Sequence, residues 1–173
     1  ALWFVQACIV GVLLLYPFLR RNKLKLAITI GIFLYGFALL SQTNDFKGKT
    51  IELGADITVN SDMSNPKNLW LPISQSKPFK GTFDGKMHTI KGIYVETSAQ
   101  NAGLFGQTEI ESVIQNLKLT DSKIKSTCTS AEAFVGGIAG VFCGDMKNVY
   151  SDATVSSVKS EVGGLIGRLS GND

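Results

Sequence analysis

A mainly β, solenoidal fold preceded by an apolar helical hairpin is what this sequence predicts, on three observations. A glycine-flanked apolar pair occurs three times, as GLFG at 103–106, VGGIAG at 135–140 and VGGLIG at 162–167. Residues 45–173 consist of short apolar runs broken by Gly, Asn, Asp and Ser, the pattern of many short strands joined by tight turns. Ala1–Leu19 carries no charge and is followed, after RRNKLK, by a second apolar run.

The hairpin comes first. Ala1–Leu19 (ALWFVQACIVGVLLLYPFL) is, at about 1.5 Å per residue, nearly long enough to cross a bilayer core. Leu26–Leu40 (LAITIGIFLYGFALL) reaches a full span only with Leu24 and the snorkelling stem of Lys25. Together they predict a membrane anchor over residues 1–41. Arg20, Arg21, Lys23 and Lys25 in the joining loop are charges of the kind retained in the cytoplasm, which places everything after Ser41 outside. Trp3, Tyr16 and Tyr35 suit interfacial depths, and Cys8 reads as a small hydrophobe. A cleaved signal peptide fits less well, because the apolar stretch is doubled and no small-residue cleavage site follows. Two other readings remain open: a pair of buried helices in a soluble core, and part of a polytopic membrane protein joined to an unrelated repeat region. A start at Ala1 and an end just after a repeat signal predict a fragment of a longer protein, truncated at its C-terminal end.

Residues 1–44 hold those four basic side chains and no acidic one, whereas residues 45–173 hold 13 Lys/Arg against 14 Asp/Glu. The formal charge of +3 therefore sits in one short loop. A phosphate-binding surface needs a basic patch on the folded domain, so nucleic acid is not expected as a partner. With 45% hydrophobic residues the chain is also no disordered tail.

The strands follow in order. KTIELGADITV (49–59) alternates at Ile51, Leu53, Ile57 and Val59 and predicts two strands; NSDMSNPKN (60–68) is a polar loop before LWLPI (69–73). FKGTFDGKMHTIKGIYV (79–95) has Phe79, Gly81 and Phe83 in period two, then Asp84-Gly85, where positive backbone angles and a sharp turn are expected, then Ile90, Ile93 and Val95. The glycine signals lie 34 and then 27 residues apart, counted from Gly103, Gly137 and Gly164. Between them IQNLKLTDSKI (114–124) parallels MKNVYSDATV (146–155), with Asn116 on Asn148 and Leu117 on Val149. A unit recurring at this length marks a solenoid, in which no single coil is stable alone. Gly103, Gly106, Gly136, Gly137, Gly140, Gly163, Gly164 and Gly167 are expected where one coil passes close beneath the next, since a Cβ would hold the backbones apart. The pairs Leu104-Phe105, Ile138-Ala139 and Leu165-Ile166 are expected to place one side chain inward and one outward. Asn116 and Asn148 are expected to stack in register, their amides satisfying turn backbone groups.

GLFG, GGIAG and GGLIG resemble the GLUG motif, a short glycine-flanked repeat of bacterial and archaeal surface proteins. FKGTFDGKMHTIKGI, with Trp70-Leu71-Pro72-Ile73 shortly before it, is similar to the segment that commonly precedes such repeats, and so is DFKGKTIELGADI (45–57). The likeness covers residues 45–167. It implies a right-handed parallel β-helix over residues 45–173, in an exported adhesin-like molecule or the non-catalytic part of a surface protease. LYGFALLSQTNDF (34–46) is similar to the helix that caps such domains, so either the second apolar helix runs into a cap reaching about residue 46 or residues 1–33 are an extension foreign to the domain.

The residues that could carry chemistry are scattered. Glycoside cleavage asks for facing carboxyls, but Asp84 sits in a turn dipeptide, Asp56 follows a strand, and Glu109 and Glu111 fall in a loop. His88, the sole histidine, reads as a hydrogen-bonded turn residue at a strand start. Cys128 and Cys143 lie 15 residues apart, which is no metal spacing, and read as buried free thiols more readily than as a disulfide. The glycine tracts lack the lysine and helix of a phosphate loop. Lys118, Lys123 and Lys125 on one strand face could engage an acidic glycan, though charges along a strand are usually a solvated edge. No catalytic, cofactor-binding or metal residue is assigned, and no cofactor is expected. The expectation is a non-catalytic structural or adhesion module at the cell surface, extracellular and membrane-anchored, with a glycan or a host or cell-surface protein as candidate partner. The alternative is the non-catalytic portion of a surface peptidase or of a carbohydrate-active β-helix enzyme.

Overall fold

The computed structural model describes residues 25–28, 31–159 and 161–171. The chain starts with β1 (Lys25–Ile28) and α1 (Gly31–Leu40) and then winds through sheet-forming coils. The first coil holds β2 (Thr50–Leu53) and β3 (Ile57–Thr58). The second holds β4 (Thr82–Asp84), β5 (Thr89–Lys91), β6 (Tyr94–Thr97), β7 (Asn101–Ala102) and β8 (Phe105–Gln107). In the third, β9 (Val113–Thr120) replaces the β4–β5 pair and is followed by β10 (Lys123–Ser126), β11 (Phe134–Gly136) and β12 (Ala139–Phe142). The fourth repeats this with β13 (Asp145–Ser151), β14 (Thr154–Ser157), β15 (Glu161–Gly163) and β16 (Ile166–Leu169).

Strands at equivalent places in successive coils pair in parallel, giving a β-solenoid of about four turns. Thr50, Thr82, Val113 and Asp145 stand in one column, so successive coils are 31 or 32 residues long. The longest sheet runs β1, β2, β4, β9, β5, β3 with β13 added on β9; the sheets β6–β10–β14, β7–β11–β15 and β8–β12–β16 form the other sides. The register of β9 on β13 sets Leu117 opposite Val149, so the correspondence between residues 114–124 and 146–155 is a physical adjacency.

Alternation decides what each strand buries. In β10, Lys123 and Lys125 face solvent while Ile124 and Ser126 are buried; in β2, Ile51 and Leu53 face inward. The interior of the early coils is filled by Phe37, Phe46, Phe79, Phe83 and Phe105, all essentially inaccessible. Their rings meet edge-on or tilted, at centroid distances of 4.8 Å for Phe37–Phe46 and 5.3 Å for Phe83–Phe105.

Only part of the expected N-terminal hairpin falls within the described residues. Residues 1–19, the first expected membrane helix, lie outside the described residues. The second apolar run, expected as one helix over 26–40, divides into β1, which pairs with β2, and the ten-residue helix α1. No helix among the described residues is long and apolar enough to cross a membrane. Phe37 and Ala38 of α1 are fully buried against the aromatic interior. The helix also stops at Leu40 rather than continuing to about 46. The buried Ser41 hydroxyl donates to the Ala38 carbonyl (2.6 Å) and accepts from the Ser74 amide (2.6 Å), while the Gln42 amide group donates to the Pro72 carbonyl (2.9 Å), fixing the helix end to the first coil.

Two local expectations are corrected. Leu104 with Phe105 and Ile138 with Ala139 are buried together, not split between inside and outside. Each pair straddles the bend between two short strands, and a bend resets the alternation so that both side chains turn inward. At Asp84-Gly85 the chain does not reverse: β4 and β5 both lie along β9, with a looped-out bulge between them. The positive φ values fall on Lys86 (52°) and Met87 (67°), and Gly85 is needed because a Cβ there would lie 2.4 Å from the Asn116 carbonyl oxygen.

Candidate functional site

The repeat glycines mark where coils touch. A Cβ on Gly140 would fall 2.7 Å from the Ala102 nitrogen and 2.8 Å from the Gly106 oxygen, both in the preceding coil. A Cβ on Gly103 would approach the Gly136 oxygen at 2.8 Å, one on Gly106 the Gln75 Cα at 2.7 Å, and one on Gly137 the Gly164 oxygen at 2.6 Å. A Cβ on Gly136 would meet the Ala139 oxygen of its own coil and the Gly167 nitrogen of the next, one on Gly167 the Val135 nitrogen of the preceding coil, and one on Gly163 the Ile166 oxygen of its own coil. Gly164, on the fourth coil, has nothing within 4 Å of its would-be Cβ.

A polar ladder crosses three coils at the bulge. Asn148 Nδ2 donates to Asn116 Oδ1 (3.2 Å), and Asn116 Nδ2 donates to Asp84 Oδ1 (3.1 Å). Asp84 also accepts from the Lys86 amide (2.8 Å) and from Gln115 Nε2 (2.9 Å). Asn116 and Asn148 adopt positive φ, 53° and 56°, a conformation asparagine tolerates better than most side chains. Partial burial alone would raise the Asp84 pKa, but the Lys86 amide and the Asn116 and Gln115 side chains hold the carboxylate and carry it below the ordinary 3.8. Stability from these bonds is therefore present above the unfolded-state value and lost as pH falls through the lower folded value. In urea unfolding compared at about pH 5 and about pH 3, the loss of stability on acidification is expected to be smaller in Asp84→Asn than in the parent. An equal loss in both would show that the ladder does not hold the carboxylate.

The remaining candidates for chemistry stay apart. His88 Nδ1 lies 3.1 Å from Asp56 Oδ1, and the same oxygen accepts the Thr89 amide at 2.8 Å. That backbone bond, then the one to His88, lowers the Asp56 pKa; the pair lies at the surface where β3 and β5 begin. Glu111 pairs with Lys47 at 2.8 Å, and the Glu109 amide donates to the Phe79 carbonyl (2.8 Å). Cys128 is a buried free thiol and Cys143 a half-buried one. Lys118 does not share a face with Lys123 and Lys125: a corner at Asp121 (φ 49°) puts it on the longest sheet and the other two on the β6–β10–β14 sheet.

That second sheet carries a cleft which neither composition nor spacing announced. On its outer face Tyr94, Lys123 and Thr154 form one column and Glu96, Lys125 and Ser156 the next. The 60–68 loop stands over the first column and closes a cleft of about 260 Å³, which continues past Lys123 toward Asp121 and Asp152. The loop is held from within. Asn60 Nδ2 donates to the Asn68 and Gly92 carbonyls (2.9 and 2.8 Å), its Oδ1 accepts the Lys67 and Asn68 amides (both 2.9 Å), and Asp62 accepts the Ser64 amide (2.8 Å). Lys123 Nζ donates to the Met63 carbonyl at 2.6 Å. Beside the cleft the Glu96 carboxylate accepts from the Tyr94 hydroxyl and from Lys125 Nζ, both at 2.6 Å. These bonds lower the Glu96 pKa, the Lys125 bond foremost, and raise that of Tyr94. The one sequence signal for this site was the Asn/Asp-rich texture of residues 60–68, which reads as a loop but says nothing of what the loop faces.

No family's sequence model matches the chain, and no solved structure matches it. The chain is similar to halomucin of Haloquadratum walsbyi (strain DSM 16790 / HBSQ001), with 32% identity over 123 residues. The alignment takes in 68% of this chain but 1% of that protein, so the chain spans about a hundredth of its curated relative's length.

Proposed function

We propose that residues 45–171 form a non-catalytic structural module of a cell-surface protein, a right-handed coil that displays a repetitive outer face. The observation that carries this reading is the stacking itself. Equivalent residues recur in columns down the solenoid, and such a surface favours spacing and many weak contacts over a single reaction centre. Its handedness follows the strong right-handed preference of parallel crossover connections. The likeness to halomucin, a mucin by name, fits a place at the cell surface. The glycine tracts fit a GLUG-type repeat, and adhesion to a glycan or a surface protein is the role such a face serves best.

The test is labelling of intact cells that make the full-length protein, using a membrane-impermeant amine reagent. Lys47, Lys67 and Lys159 are exposed and should be modified to the same extent before and after lysis. Modification only after lysis would overturn the surface assignment.

A further inference from the structure

We propose that the cleft between the 60–68 loop and the β6–β10–β14 sheet binds an uncharged oligosaccharide, with Tyr94 as the platform for a sugar ring. The proposal deepens the surface-module reading and rests on it only for where the ligand is met. Four features of the cleft point to this class of ligand.

The first is charge. Lys125 is neutralised by Glu96 at 2.6 Å, Asp121 is paired with Lys91 at 3.3 Å, and Lys123 is turned onto the Met63 carbonyl. Lys123 keeps its charge, but Asp121 and Asp152 line the cleft beside it and Glu96 stands against Lys125, so a polyanion meets no net cationic face. The second is the density of both hydrogen-bonding senses within a small area. The Lys123 and Lys125 ammonium groups donate, and the Thr154 and Ser156 hydroxyls both donate and accept, which suits vicinal hydroxyl groups that donate and accept in turn.

The third is the aromatic ring. Tyr94 is half-buried with its hydroxyl tied to Glu96, so the ring is fixed on the cleft floor and an apolar sugar face can lie on it without loss of side-chain freedom. The fourth is rigidity. The loop's amides are satisfied by Asn60 and Asp62, so the wall stands ready before any ligand arrives. Three strands about 4.8 Å apart make a floor about 10 Å across, long enough for two or three linked pyranose rings. The same strands are paired on the floor and expose no ladder groups upward, which disfavours an extended peptide.

The test titrates the full chain, isotopically labelled for amide NMR, with cellohexaose, chitohexaose and mannohexaose, and with a heparin-derived hexasaccharide as the acidic arm. At least one neutral hexasaccharide is expected to shift the amides of Tyr94, Lys125 and Thr154. Tyr94→Ala is expected to weaken that binding by at least ~10-fold. Thr154→Trp, at an exposed strand position where folding is undisturbed, should fill the cleft and weaken it similarly. Shifts at these amides from none of the neutral probes, tighter binding of the acidic probe, or binding that survives both substitutions would each overturn the proposal. None of these results would alter the labelling of intact cells, so a failed ligand assignment and a failed surface assignment are told apart.

Discussion

Replacing Phe79 with alanine is expected to destabilise the domain by about 3–5 kcal/mol, read as a fall in the urea midpoint at unchanged slope. Phe79 is completely buried, and its ring lies 6.3 Å from Phe37, 6.1 Å from Phe46 and 5.4 Å from Phe105. It therefore joins helix α1, the loop after it and the second coil. A hole at this point cannot close by local collapse, because its walls belong to three segments each fixed by its own backbone bonds. Since a domain of this size is stable by about 5–15 kcal/mol, the variant should begin to unfold at denaturant levels the parent tolerates. A loss below about 1.5 kcal/mol would mean that the aromatic cluster is not the mechanical centre of the fold.

The second large effect comes from adding a single methyl group. Gly140→Ala is expected to cost at least ~3 kcal/mol, because the new Cβ would meet the Ala102 nitrogen and the Gly106 and Phe134 oxygens within 2.8 Å, and all three are backbone atoms that cannot swing aside. Gly164→Ala is the matched control. Its Cβ meets nothing within 4 Å, so it should change stability by no more than ~0.5 kcal/mol. Thermal unfolding of the two variants side by side decides the matter. Equal effects would show that the glycines act through chain flexibility and not through the approach of neighbouring coils.

Much of the solenoid was legible because it depends on local patterns. Alternation in KTIELGADITV marks β2 and β3, and the likeness of residues 114–124 to 146–155 anticipates the register of β9 on β13. What was not legible depends on where the chain bends. The burial of both Leu104 and Phe105 follows from a bend between them, and the separation of Lys118 from Lys123 follows from the corner at Asp121. Neither bend is marked by a proline or by an Asn-Gly pair. The apolar run at 26–40 is ambiguous for a different reason. Hydropathy reports that a segment avoids water, not whether lipid or a protein interior receives it, and Phe37 is received by Phe46, Phe79 and Phe83. The cleft was hidden because its walls come from residues near 63, 94, 123 and 154, brought together only by coiling.

The in-register columns also decide how the molecule answers a pull. The hydrogen bonds between coils point along the long axis, so tension between the two ends loads one rung at a time instead of shearing all of them together. Each rung that yields releases 31 or 32 residues, or roughly 100 Å of slack. Such a rod lengthens by successive small surrenders and re-forms from whichever rungs remain.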